Sequence, residues 1–129
     1  MLESLSKLSN YKSRSISAEN FTGEKGKGGM ATEGTGASCA RDLGQGWKIS
    51  PSVVIKAGET FTMADIEGSG IIKHIWMTDG AKLPRRLILR IYWDDSETPS
   101  VCVPTNDFFA CADHRKFTQI SSLAVCVNP

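Results

Sequence analysis

The sequence has no surplus of charge of either sign: fifteen lysines and arginines stand against fourteen aspartates and glutamates, a formal net charge of +1. Nucleic-acid binding needs clustered excess cation, so the balance argues against that class. No apolar run approaches the roughly 20 residues of a membrane span. The opening stretch MLESLSKLSNYKSRS also lacks the apolar core of a secretory leader. A single cytoplasmic domain with neither membrane nor nucleic-acid partner is the expectation at 129 residues. Histidine is scarce, only His74 and His114, and the four cysteines (Cys39, Cys102, Cys111, Cys126) contain no CxxC pair. Zinc-ligand spacing is therefore missing, neither metal nor cofactor is expected, and the cysteines read as buried free thiols. No GxSxG motif is present, and no Ser/His/Asp set is picked out by its spacing.

What the chain does have is a glycine-rich, charged stretch, SRSISAENFTGEKGKGG, from Ser13 to Gly29. Lys12, Arg14, Glu19, Lys25 and Lys27 sit in or beside it, and its four glycines exclude a regular helix or central strand. It reads as a loop offering backbone amides and charged heads close together. A site for a polar ligand and a plain solvated loop are both consistent with that composition. The loop fails the P-loop pattern, and it lacks the preceding strand and following helix of a dinucleotide fingerprint.

Ahead of it, residues 1–11 form a lead in which Leu2, Leu5 and Leu8 allow a helical turn or two, too short to stand alone. Beyond it, Ser38 is placed to cap a brief helical turn through Leu43, closed by Gly44. From Ser52 onward the period becomes two. Val53 and Ile55 alternate with Val54 and Lys56, a turn falls at 57–59, and Phe61 and Met63 share a face. After a second turn at 67–70, Ile71 to Thr78 reads as a strand. Arg86 to Trp93 is the cleanest, with Leu87, Leu89, Ile91 and Trp93 on one face. A polar turn from Asp94 leads to a short strand, Ser100 to Val103, stopped by Pro104, and a last strand runs from Ser121 to Val127. These six short strands predict an all-β, antiparallel, jelly-roll-like sandwich, two strands short of the usual eight.

Candidate chemistry is sparse. His74 and Trp76, two apart on a strand, project to one face, where an indole can stack on sugar C–H groups and an imidazole can donate a hydrogen bond. Half-buried structural roles for both are the alternative. Asp107, ahead of Phe108 and Phe109, is placed to present a carboxylate at a loop start. Glycoside hydrolysis requires two carboxyl groups at set separations, and spacing in the sequence picks out no such pair.

Five segments in order resemble the N-terminal part of glycoside hydrolase family 172: SRSISAENFTGEKGKGG, LGQGWKISP, GETFTMADIEGSGIIKHIWMT, LRIYWDDSETPSVCVPTNDFF and the closing VNP. The resemblance runs over 12–129. It implies a protomer of two jelly rolls assembled as a trimer or a pair of trimers. The implied activity is hydrolysis or transfer at α-D-fructofuranosyl linkages through a retaining pair of glutamates. Those glutamates lie further along the family's chain, so no residue here is a catalytic candidate. Residues 12–129 are then expected to form an incomplete first jelly roll, truncated at its C-terminus and inactive alone. The implied carbohydrate-binding residues are Glu24 and Lys25 in the loop, His74 and Trp76 on the strand, and Asp107. Three departures fall in one region: Cys102 stands where the family has an acidic residue, Thr105-Asn106 where it has Leu-Gly, and Ala110 where it has Gly. A non-catalytic carbohydrate-binding or assembly module is the alternative function, and a phosphate binder using Lys25 and Lys27 is a third.

Overall fold

The computed structural model describes residues 6–40, 42–80, 85–111 and 118–128, the side chains of 39 and 40 apart. Leu2, Leu5, His114 and the side chain of Cys39 lie outside the described residues. Two compact units are present: Lys7–Ile71, and Ile72–Pro129 together with Met1–Ser6. Regular pairing among the described residues is antiparallel β, accompanied by two helices of a single turn. The all-β expectation holds at that level.

In the second of these units, β1 (Ile88–Ile91) pairs antiparallel with β2 (Val101–Pro104), in the register Ile88↔Pro104 through Ile91↔Val101. The predicted alternation is observed. Leu89 is buried, Leu87 and Ile91 are half-buried, and Arg86, Ile88, Arg90 and Tyr92 are exposed. Trp93 leaves the inner face once the ladder has ended. Leu89 and Ile91 meet Val103 and Val101 across the ladder, so the inward face is aliphatic on both strands. The connection begins with a tight turn in which Asp94 and Asp95 both take positive φ (52° and 56°) and the Ser96 amide donates to the Trp93 carbonyl. Aspartate tolerates that region better than most residues.

Pro104 is the last residue of β2, one past the expected end at Val103. The Thr105 amide donates to the Leu87 carbonyl at 3.0 Å, which makes the adjacent Ile88↔Pro104 pair a non-hydrogen-bonded one. Proline's missing N–H therefore costs the ladder nothing. The predicted strand from Ser121 to Val127 is instead a tight hairpin, β3 (Ile120–Ser121) against β4 (Cys126–Val127). Ser122 folds it: its hydroxyl accepts from the amides of Ala124 and Val125, and its own amide donates to the Val125 carbonyl. Leu123 consequently sits at an exposed tip. Ile71 to Thr78, predicted as a strand, joins no ladder among the described residues. A period-two signature survives there in exposure alone, with Ile75 and Met77 half-buried between exposed neighbours.

α2 (Thr105–Phe108) follows β2 directly and closes with a Schellman motif. The Cys111 amide donates to the Asn106 carbonyl at 2.8 Å, and the Ala110 amide to the Asp107 carbonyl at 3.0 Å. The motif needs a left-handed residue just past the helix, and Ala110 supplies it with φ 56°. That is the position where the family resemblance implies glycine. The left-handed conformation costs a non-glycine residue roughly 1–2 kcal/mol, more than the roughly 0.5–1 kcal/mol entropic cost of glycine. Ala110→Gly is therefore expected to stabilise this unit by about 0.5–1 kcal/mol, read as a rise in melting midpoint of a few degrees. An unchanged or lowered midpoint would count against the capping argument.

In the Lys7–Ile71 unit, residues 34–37 run beside 49–52. The Gly36 amide donates to the Ile49 carbonyl at 2.8 Å, and the hydroxyls of Thr35 and Ser52 lie 2.8 Å apart. Ile49 is buried there. α1 (Ala37–Ala40) begins one residue before the Ser38 expected to cap it. Phe21 meets Phe61 edge-on at 5.7 Å between centroids. A turn at 56–59 forms as the sequence predicts, closed by the Glu59 amide on the Lys56 carbonyl. Of the described cysteine side chains, Cys111 is buried while Cys102 and Cys126 are exposed, which corrects the reading of all as buried thiols. Cys102 falls on the outward face of β2, opposite Arg90.

Candidate carbohydrate site

The glycine-rich stretch is a loop, as its composition predicts, but an organised one. Ser17 and Asn20 exchange backbone hydrogen bonds, the Asn20 side-chain amide donates to the Glu24 carbonyl at 2.9 Å, and the Lys27 amide donates to the same carbonyl. Gly23 is buried with φ 65°, and a Cβ there would meet Ile16 at 3.0 Å, so this turn requires glycine. Glu19 ties the loop to a distant segment, its carboxylate accepting the Ser50 amide across 31 positions. Its other oxygen is buried without a partner.

These turns enclose an open cleft of about 310 Å³, lined by Glu24 and Lys25 together with Arg14, Asn20 and serines of 13–17. Glu24 and Lys25, both candidates from the sequence, line this cleft. Arg14, which carries no binding signal in the sequence, also lines it, whereas Lys27, the other candidate phosphate contact, does not. A cation eleven positions before Lys25 carries no spacing signal. Only the Ser17–Asn20 reversal brings the two to one cleft.

In the other unit, His74 and Trp76 are both exposed, on either side of half-buried Ile75. Trp76 is 72% exposed. Asp107 is not a free loop carboxylate. It lies in α2, its side chain 22% exposed, and its Oδ2 pairs with Arg85 Nη2 at 2.9 Å. Its Oδ1 is buried without a hydrogen-bond partner. Arg85 itself has φ 63° and donates its amide to Asn106 Oδ1, so Asn106 and Asp107 together hold a strained backbone turn. Glu24 and Lys25 thus belong to one unit, and His74, Trp76 and Asp107 to the other.

A family model described as GH172 domain-like matches residues 48–126, more than half of the chain. The chain belongs to this family. Glycoside hydrolase family 172 membership therefore rests on the segment that carries His74, Trp76 and Asp107, while the Arg14–Lys25 cleft lies outside the matched residues. Among curated proteins none matches the chain. No helix among the described residues is long and apolar enough to cross a membrane.

Proposed function

We propose that this family 172 chain is the N-terminal, jelly-roll-type part of an α-D-fructofuranosidase-like glycoside hydrolase, and that it holds the sugar without performing bond cleavage. The observation that carries this reading is the exposed pair His74 and Trp76, lying within the family-matched segment. An exposed indole offers a flat apolar face for the C–H groups of a furanose, and the neighbouring imidazole offers a hydrogen bond to a ring hydroxyl. Within the same unit, the Asp107–Arg85 pair orders the polypeptide after β2. Cleavage with retention requires two carboxyl groups about 5–5.5 Å apart. In the family resemblance that pair lies further along the polypeptide, so the chain by itself is inactive. The exposed apolar side chains of this β framework support the family's trimeric or hexameric assembly as its working state.

The test uses this chain alone and joined to the remainder of a family 172 protein. The chain alone is expected to give no turnover of an aryl α-D-fructofuranoside, and turnover abolished by changing one of its own acidic residues would overturn the assignment. In the joined protein, Trp76→Ala is expected to weaken sugar binding by about 1–3 kcal/mol, the range for an aromatic contact surface. The melting midpoint should stay put, since exposed substitutions shift stability by no more than about 0.5 kcal/mol. Early melting with intact affinity would make Trp76 a structural residue. Sedimentation of the same sample as a compact monomer would exclude the assembly. The second reading, a non-catalytic carbohydrate-binding module, is favoured by the same exposed platform and predicts sugar binding with no gain of turnover on joining.

A further inference from the structure

The cleft formed by 13–28 has a chemistry that a neutral sugar does not call for. No aromatic ring among the described residues lines it, so it lacks the stacking surface on which neutral sugars rest. It instead holds two cations, Arg14 and Lys25, against one carboxylate, Glu24. Neither cation has a carboxylate within ion-pair distance among the described residues. Arg14 spends one guanidinium N–H on the Ser13 carbonyl at 2.8 Å, which orients the group and leaves its other donors for a ligand. The amides of Lys25 and Gly26 donate to no acceptor among the described residues, unlike those of Gly23 and Lys27 on either side. The loop is also built in advance. Glu19 on Ser50 and Asn20 on the Glu24 carbonyl hold it, so little ordering is left for the ligand to supply.

We propose that this cleft binds an oxyanion, a phosphate or a carboxylate, carried on a small hydroxylated ligand. Arg14 and Lys25 make the charged contacts, and the serines beside Arg14 take the hydroxyls. This deepens the carbohydrate reading of the same loop and rests on it only for the hydroxylated carrier. The oxyanion half stands on the charges and free donors of the cleft.

Calorimetric titration of the full chain at low salt tests it, with a hexose phosphate, a uronic acid, the neutral hexose and inorganic phosphate as the probes. The hexose phosphate or the uronate is expected to bind about tenfold or more tightly than the neutral hexose, with affinity falling as salt is added. Arg14→Gln and Lys25→Gln should each lower that affinity about tenfold, the range for losing a charge-assisted contact. Lys56→Gln, at an exposed cation of the same unit outside the cleft, should leave it unchanged. Inorganic phosphate binding as tightly as the hexose phosphate, with the same dependence on Arg14 and Lys25, would keep the oxyanion site and overturn its carbohydrate carrier. Neutral hexose binding as tightly as the anions would overturn the oxyanion site and leave the sugar reading standing. Indifference to both substitutions, or no saturable binding of any anionic probe, would also overturn it.

Discussion

Gly34→Ala is expected to detach residues 34–37 from residues 49–52 and to loosen the cleft with them. A Cβ at position 34 would lie 2.5 Å from Ser50 Cβ and 2.6 Å from Ser50 Cα. Ser50 has little freedom to yield. Its amide is held by the Glu19 carboxylate, and the preceding Ile49 carbonyl accepts the Gly36 amide at 2.8 Å. Relief of the clash must break one of these bonds. Overpacking of this kind costs about 1–3 kcal/mol, sometimes more. Because Glu19 belongs to the 13–28 loop, the disturbance travels to the Arg14–Lys25 cleft. Amide hydrogen exchange reads the effect directly: protection at Gly36 should be lost, whereas Gly70→Ala, with open space around its Cβ position and no left-handed φ, should leave it intact. Full protection at Gly36 in the Gly34 variant would show that the two segments do not depend on this close approach.

Leu89→Ala is expected to be the more damaging of two substitutions one residue apart. Leu89 is 5% exposed on the inner face of β1, opposite Val103, while Ile88 is 45% exposed on the outer face. Removing a buried leucine side chain costs about 2–5 kcal/mol through lost burial and the cavity left behind. That is a large share of the roughly 5–15 kcal/mol by which domains are stable. The core described in this unit is thin, its buried apolar members being Leu89 and Cys111, so few neighbours remain to compensate. Ile88→Ala should shift stability by no more than about 0.5 kcal/mol. The comparison is made on exchange protection across 87–105 and on the melting midpoint. Equal losses from the two substitutions would mean that the inward face of β1 has been assigned wrongly.

Much of the chain was legible before folding because it depends on a few consecutive residues. Alternation over 86–92, the turn at Asp94-Asp95, the turn at 56–59 and the loop character of 13–29 each follow from local backbone preference and side-chain period. Some misreadings were local too. A hydroxyl at Ser122 turned one apparent strand into a hairpin, because a serine that accepts its neighbours' amides outweighs the period-two pattern around it. Pro104 closes β2 as its own last paired residue because its position in the ladder asks for no N–H, and register is a property of two strands together.

The sequence by itself determined the family, the β character and the inward face of β1. Tertiary structure alone decided which distant groups meet: Glu19 with Ser50, Asp107 with Arg85, and Arg14 with Lys25 around one cleft. It also decided that Ile71 to Thr78 finds no ladder among the described residues, although its pattern suits a strand. The physical reason is common to all of these. A backbone preference is settled within a few residues, whereas a partner 11, 22 or 31 positions away is reached only after the intervening chain has closed its own turns, and no spacing rule in the sequence records that closure.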